Sequence, residues 1–132
     1  MDTKYFKKIR IFDGGMGQEL LSKGLISKGT LWSASALIEK KFHKLVIDAH
    51  ISYINAGADI IVTNNFSARK IRFIQNKVLD KFQYANEQAG ILANKAREIS
   101  KQNILIAGSL PSQSDTYVED ERSSSEIQSD FE

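Results

Sequence analysis

Three short apolar runs, each stopping abruptly at glycine or asparagine, constrain this chain more than any other feature. They are Ile9-Arg10-Ile11-Phe12-Asp13 before Gly14-Gly15, Asp59-Ile60-Ile61-Val62-Thr63 before Asn64-Asn65, and Asn103-Ile104-Leu105-Ile106-Ala107 before Gly108-Ser109-Leu110-Pro111. All three read as β-strands, and the second and third are apolar on both faces, as parallel strands covered by helices must be. Between the first two, Phe42, Leu45, Val46, Ala49 and Tyr53 recur at helical spacing. Gly57 follows, placed to end that helix in a left-handed conformation. Between the second and third, Phe82, Ala85, Ala89, Leu92, Ala93, Ala96 and Ile99 form a longer helical stripe. A β-α-β-α-β order with helical crossovers implies a parallel sheet with right-handed connections.

The fold class expected is therefore α/β, with two full βα units and a third begun. At 132 residues the chain is long enough for one domain with a core, but well short of the roughly 250 residues of a complete TIM barrel. Eighteen basic and sixteen acidic side chains leave a net charge of +2, so no strong field points to nucleic acid or to a membrane surface. No N-terminal apolar segment follows Met1, and no apolar run approaches the roughly 18 residues of a membrane span. The expected location is the cytoplasm. The sequence has no cysteine, which excludes a disulfide framework and thiolate metal ligands within these residues. Neither a repeat nor a low-complexity segment is present. In the polar tail 117–125, Ser123 and Glu126 have the spacing of a capping box. Ile127 and Phe131 then share one helical face. A helix capped and begun, but only about two turns long, suggests truncation.

Ligands of parallel sheets meet the carboxyl ends of the strands, so the three strand ends are the places to look for chemistry. Asp13 is a carboxylate that could take a charge-assisted hydrogen bond from a substrate ammonium, and the glycines after it permit close approach. A turn carboxylate accepting backbone N–H groups is the simpler account. Those glycines match neither G-x-G-x-x-G nor a P-loop. Beyond Gly14 runs a connection of more than about 25 residues, far above the usual length. It carries Trp32, whose indole could face a cationic methyl group or merely plug the loop onto the sheet. Thr63 and Asn65 offer a hydroxyl and an amide to a ligand, or to buried backbone. His43 and His50 lie on roughly one helix face, and two imidazoles do not make a zinc site, so packing or surface roles are expected. Arg69, Lys70 and Arg72 read as a solvated basic loop rather than a phosphate clamp.

Four blocks in order resemble the homocysteine S-methyltransferase family. They are Asp13-Gly14-Gly15-Met16-Gly17-Gln18-Glu19-Leu20-Leu21, Leu31-Trp32-Ser33-Ala34, the stretch from His50 through Ala56-Gly57-Ala58-Asp59 to Phe66, and Gly108-Ser109-Leu110-Pro111. The resemblance implies a zinc-dependent TIM (β/α)8 barrel of methionine biosynthesis that moves a methyl group from a small donor to the homocysteine thiolate. Residues 1–132 would be an incomplete homocysteine-binding (β/α)8 barrel domain, holding strands one to three and inactive alone. Carried over by position, Asp13 and Gly14 would hold the amino-acid end of homocysteine, Thr63 and Asn65 would stand at the second strand, and Trp32 would line the donor side. No catalytic residue and no metal ligand is assigned. Zinc is expected for the full-length family, on cysteines of later strands that this chain lacks. Homocysteine and a methyl donor are the implied partners, with either the missing C-terminal part or further copies of this chain completing the fold. The alternatives are a stand-alone homo-oligomeric binding module without catalysis, and another barrel enzyme using Asp13 with a metal or base from elsewhere.

Overall fold

A computed structural model describes residues 3–112, 114, 119–129 and 131. In chain order its elements are α1 (Met16–Ser22), α2 (Ser35–Ile38), α3 (His43–Asn55), β1 (Ile60–Val62), α4 (Lys70–Gln75), α5 (Phe82–Ser100), β2 (Leu105–Ala107) and α6 (Ser124–Ser129). Single 3-10 turns lie at Thr3–Lys7, Gly29–Ala34, Lys40–Phe42 and Leu79–Lys81. The two long helices match the periodic stripes, except that Ile99, near the end of α5, is exposed. α3 buries Val46, Ala49, His50 and Ile54, and α5 buries Ala85, Ala89, Leu92, Ala93 and Ala96. The alanines let α5 come close, and α3 against α5 is the most extensive packing in the chain. Gly57 takes φ +102°, as a left-handed helix stop requires. No helix among the described residues is long and apolar enough to cross a membrane.

β1 and β2 pair in parallel, with Ile60, Ile61 and Val62 opposite Leu105, Ile106 and Ala107. The expected first strand is reduced to one parallel bridge, Phe12 to Ile60. The chain around that bridge is nonetheless tied firmly. The Asp59 and Ile60 N–H groups donate to the Ile11 carbonyl at 2.8 and 3.1 Å, and the Asp13 N–H donates to the Ile60 carbonyl at 2.9 Å. The Asp59 carboxylate accepts the Ile11 N–H at 2.9 Å and pairs with Arg10 at 3.5 Å. Side chains have replaced part of a ladder here. Ile9, Ile11 and Phe12 are exposed, because no neighbour stands on the outer side of this run. The three residues of β2 are only half-buried.

The long connection after Gly14 is not a bare loop. α1, the Gly29–Ala34 turn and α2 bring Leu20, Leu25, Leu31 and Leu37 into the main core beside Val46 and Phe73. A second cluster, with Ile54, Ile61, Ala93 and Ile104, sits between the helices and the sheet. At the far end the capping box forms. Ser123 Oγ and its backbone N–H both donate to Glu126 Oε2, at 2.6 and 2.9 Å. Tyr117 and Val118, at the head of the polar tail, lie outside the described residues.

His50 is fully buried on α3, and neither ring nitrogen has a hydrogen-bond partner among the described residues. Burial lowers its pKa to about 4 from the ordinary 6.5. The unfolded chain therefore takes up a proton that the folded chain refuses, and stability present above pH 6.5 is lost as pH falls toward 4. That loss should be about 2 kcal/mol by pH 5 and about 3 kcal/mol below pH 4. Urea unfolding of the chain and of His50→Leu between pH 8 and 4 checks this. The stability difference between them should shift toward the leucine variant by these amounts, and parallel profiles would refute it.

Candidate functional site

The strand ends converge on a cleft of about 370 Å³. Asp13, Gly14, Trp32 and Thr63 line it, together with Phe12, Met16, Phe66 and Ser109. Asn65 does not. Its amide donates to the Ser109 carbonyl at 3.1 Å and to Asn86 Oδ1 at 2.9 Å, tying the end of β1 to the chain beyond β2 and to α5. The Thr63 hydroxyl donates to Asn65 Oδ1 at 2.7 Å and accepts the Ser109 N–H at 3.1 Å. Both Thr63 and Asn65 thus serve the buried-polar role weighed for them, and Thr63 also faces the cleft.

Asp13 is half structural as well. Its Oδ2 accepts the Val62 N–H at 2.9 Å, completing the edge that its short strand leaves open. No other described residue bonds to Oδ1. Burial raises the carboxyl above its ordinary 3.8, against the lowering effect of the Val62 N–H and of its own backbone N–H. A half-buried, partly unsatisfied carboxylate at the wall of an apolar cleft suits a cationic donor, an ammonium above all.

The glycines beside it divide their work. A Cβ on Gly14 would meet the Tyr53 ring at 3.0 Å and its hydroxyl at 3.2 Å, so that glycine makes room for α3. Nothing lies within 4 Å of the corresponding position on Gly15, which leaves that backbone open. Burial and the carboxylates of Glu19 and Asp13 push the Tyr53 hydroxyl pKa up. A Cβ on Gly17 would come within 2.8 Å of the Trp32 indole, so the ring packs closely against the start of α1.

Trp32 has φ 46° and ψ −123°, a backbone conformation that costs a non-glycine residue about 1–3 kcal/mol. Three buried polar side chains surround its turn. Ser33 Oγ and Ser67 Oγ share a 2.6 Å hydrogen bond, the Ala34 N–H donates to Ser67 Oγ at 3.0 Å, and Asn64 Nδ2 donates to the Ser33 carbonyl at 3.2 Å. Ser33 and Asn64 stand in blocks that resemble the family, but nothing in the sequence marked Ser67 or the pairing itself, because the contact spans more than thirty residues.

The basic segment after β1 differs from the solvated loop expected. Lys70 is exposed, but Arg69 is buried, and its Nη1 donates to the Ser114 carbonyl. Arg69 stands at the N-cap position of α4, directly after the buried Ser67 and Ala68. The two histidines take packing roles. His50 is sealed in the core, and His43 Nε2 lies 2.9 Å from the Leu37 carbonyl with its ring stacked toward Tyr84.

The family profile described as homocysteine S-methyltransferase matches residues 10–132. The homocysteine S-methyltransferase of Escherichia coli (strain K12) is 33% identical over 113 residues, covering 77% of this chain and 34% of that protein. Homocysteine S-methyltransferase 1 of Zea mays is 36% identical over 64 residues, covering 48% of this chain and 19% of that one. Among solved structures, the homocysteine methyltransferase MmuM from Escherichia coli, in its metallated form, superposes with a TM-score of 0.69 at 28% identity. That superposition covers 83% of this chain and 40% of MmuM. The chain thus spans about a fifth to a third of the length of these curated relatives.

Because its folded carboxyl pKa is raised, Asp13 opposes folding increasingly as pH rises from 3.8 through that higher value. Asp13→Asn keeps an oxygen for the Val62 N–H and removes the charge. Thermal melts should therefore show the variant more stable than the parent at pH 7, with the gain shrinking toward pH 4. A lower midpoint at pH 7 would mean that the ionised Val62 bond outweighs burial.

Proposed function

The chain belongs to the homocysteine S-methyltransferase family, and on that basis we propose that residues 1–132 form strands one to three of its (β/α)8 barrel and the amino-acid-binding side of its site. The observation that carries this is Asp13. It is held by the Val62 N–H on one oxygen and open to the cleft on the other, with Thr63 and Trp32 on the facing walls. The parallel order, first run to β1 to β2, is the order of consecutive barrel strands.

In this reading Asp13 Oδ1 accepts the ammonium of homocysteine, and the open backbone at Gly15 and the remaining lone pair of Thr63 complete its seat. Asn65 acts from behind by fixing Thr63 and Ser109. Methyl transfer forms a carbon–sulfur bond to homocysteine and breaks the donor's bond to the same methyl, whose electron pair stays with the donor. A donor methyl that carries positive charge would rest against the Trp32 indole and Phe66. The nucleophile is the thiolate, which in the family reading a zinc ion would keep deprotonated.

The zinc donors are not here. The sequence has no cysteine, and no three His, Cys, Asp or Glu side chains gather among the described residues. These residues do not fit a zinc ion. Thiolate ligands, and with them thiol activation, belong in this reading to segments outside the 132 residues, so the chain binds without transferring. The homo-oligomeric module draws no support from the relatives.

Calorimetric titration of the chain with L-homocysteine should show binding that Asp13→Ala weakens about 10- to 100-fold, the worth of one charge-assisted hydrogen bond. Equal affinity in parent and variant would remove Asp13 from the site. Methyl transfer by the chain alone, with or without added zinc, would overturn the division of labour.

A further inference from the structure

Trp32 is held against its own backbone preference, and the groups that hold it come from the opposite wall of the cleft. Ser67 and Asn64 both follow β1, in the same loop that supplies Thr63 and Phe66. Ser67 Oγ accepts the Ala34 N–H and shares a hydrogen bond with Ser33 Oγ, and Asn64 holds the Ser33 carbonyl. Ser33 and Asn64 are buried at the wall of the cleft, and Ser67 is fully buried behind it, where a lost partner is costly. On the other side the indole rests on Gly17, where no larger residue fits. Backbone strain of this kind persists only where surrounding contacts over-determine it, and these contacts are the ones at hand.

We propose that Ser67, assisted by Asn64, is a positioning residue. It locks Trp32 in its strained turn and so makes the indole a fixed wall of the cleft, coupled to the Thr63 side. Only the assignment of that wall to the methyl donor rests on the function proposed above. The clamp itself rests on geometry. Without Ser67 the strain and the remaining contacts are comparable in size, so relaxed and held states of Trp32 become comparably populated.

Trp32 is the only tryptophan in the chain, so intrinsic fluorescence reads this residue alone. Ser67→Ala should red-shift its emission and raise its acrylamide quenching constant at least about two-fold, with far-UV circular dichroism unchanged. Ala96→Gly, which loosens the second core cluster away from the clamp, should leave both at parental values. Should Ser67→Ala lose its fold, Ser67→Cys keeps the volume while weakening the hydrogen bonds, and it should show the same shift. Parental fluorescence in a folded Ser67 variant, an equal shift in Ala96→Gly, or loss of fold in both Ser67 variants would overturn the proposal. Trimethylsulfonium, added to the parent chain, separates the two readings. If it leaves Trp32 emission unchanged while Ser67→Ala shifts it, the clamp stands and the donor wall falls.

Discussion

The rest of the structure hangs on how the first run is joined to the sheet. With one bridge in place of a ladder, three backbone hydrogen bonds are supplemented by two carboxylates acting as backbone acceptors: Asp59 for the Ile11 N–H and Asp13 for the Val62 N–H. Each sits at the end of an apolar run and reaches across to the neighbouring one. The Val62 N–H is partly buried and needs a partner, and a carboxylate is a stronger acceptor than the carbonyl it replaces. The arrangement fixes the Asp13 backbone within the sheet and leaves one oxygen facing the cleft. A residue held this way loses little freedom when it meets a ligand, which is what preorganisation requires.

The connection between Gly14 and α3 is the second constraint, and it follows from the first. Once Asp13 is pinned, the chain must cross from the strand end to the outer face of the sheet. It does so through α1, the Gly29–Ala34 turn and α2, a path along which Leu20, Leu25, Leu31 and Leu37 are buried. Trp32 lies between these anchors. Its neighbours Leu31 and Ser33 are both drawn inward, so the backbone between them turns through a positive φ and the indole is left across Gly17 at the cleft. The strained turn and the wall of the site have one cause.

Sequence periodicity made the long elements legible. The stripes of α3 and α5, the Gly57 stop and the Ser123–Glu126 box all stand where spacing put them, because each is decided by residues within a few positions of one another. Strand lengths were less legible. Residues 9–13 are as apolar as the other runs, but a strand exists only if a neighbour pairs with it, and Ile9 is 95% exposed. The burial of Arg69 and His50 and the Ser33–Ser67 clamp were hidden for the same reason, since each depends on partners or walls far away in sequence. Asp13 was legible as a candidate through its place at a strand end. Its structural half, the bond to Val62, was legible only as an alternative.

The chemistry present separates binding from activation. A thiol becomes a nucleophile by losing its proton, which takes a metal, a base or a cationic neighbour. Around the cleft the charged group is Asp13, an anion whose field disfavours a thiolate beside it. The imidazole of His50 is sealed away and held neutral by burial. The groups on these walls are of the kind that suit a cation: a carboxylate for an ammonium, and an indole and two phenyl rings for apolar or cationic methyl groups. In the proposed reading a carboxylate near the sulfur would oppose the reaction, so a homocysteine seated at Asp13 would have to point its sulfur away from it. The amino-acid end at Asp13 and the thiol at the far reach of the side chain is the orientation that keeps the two charges apart.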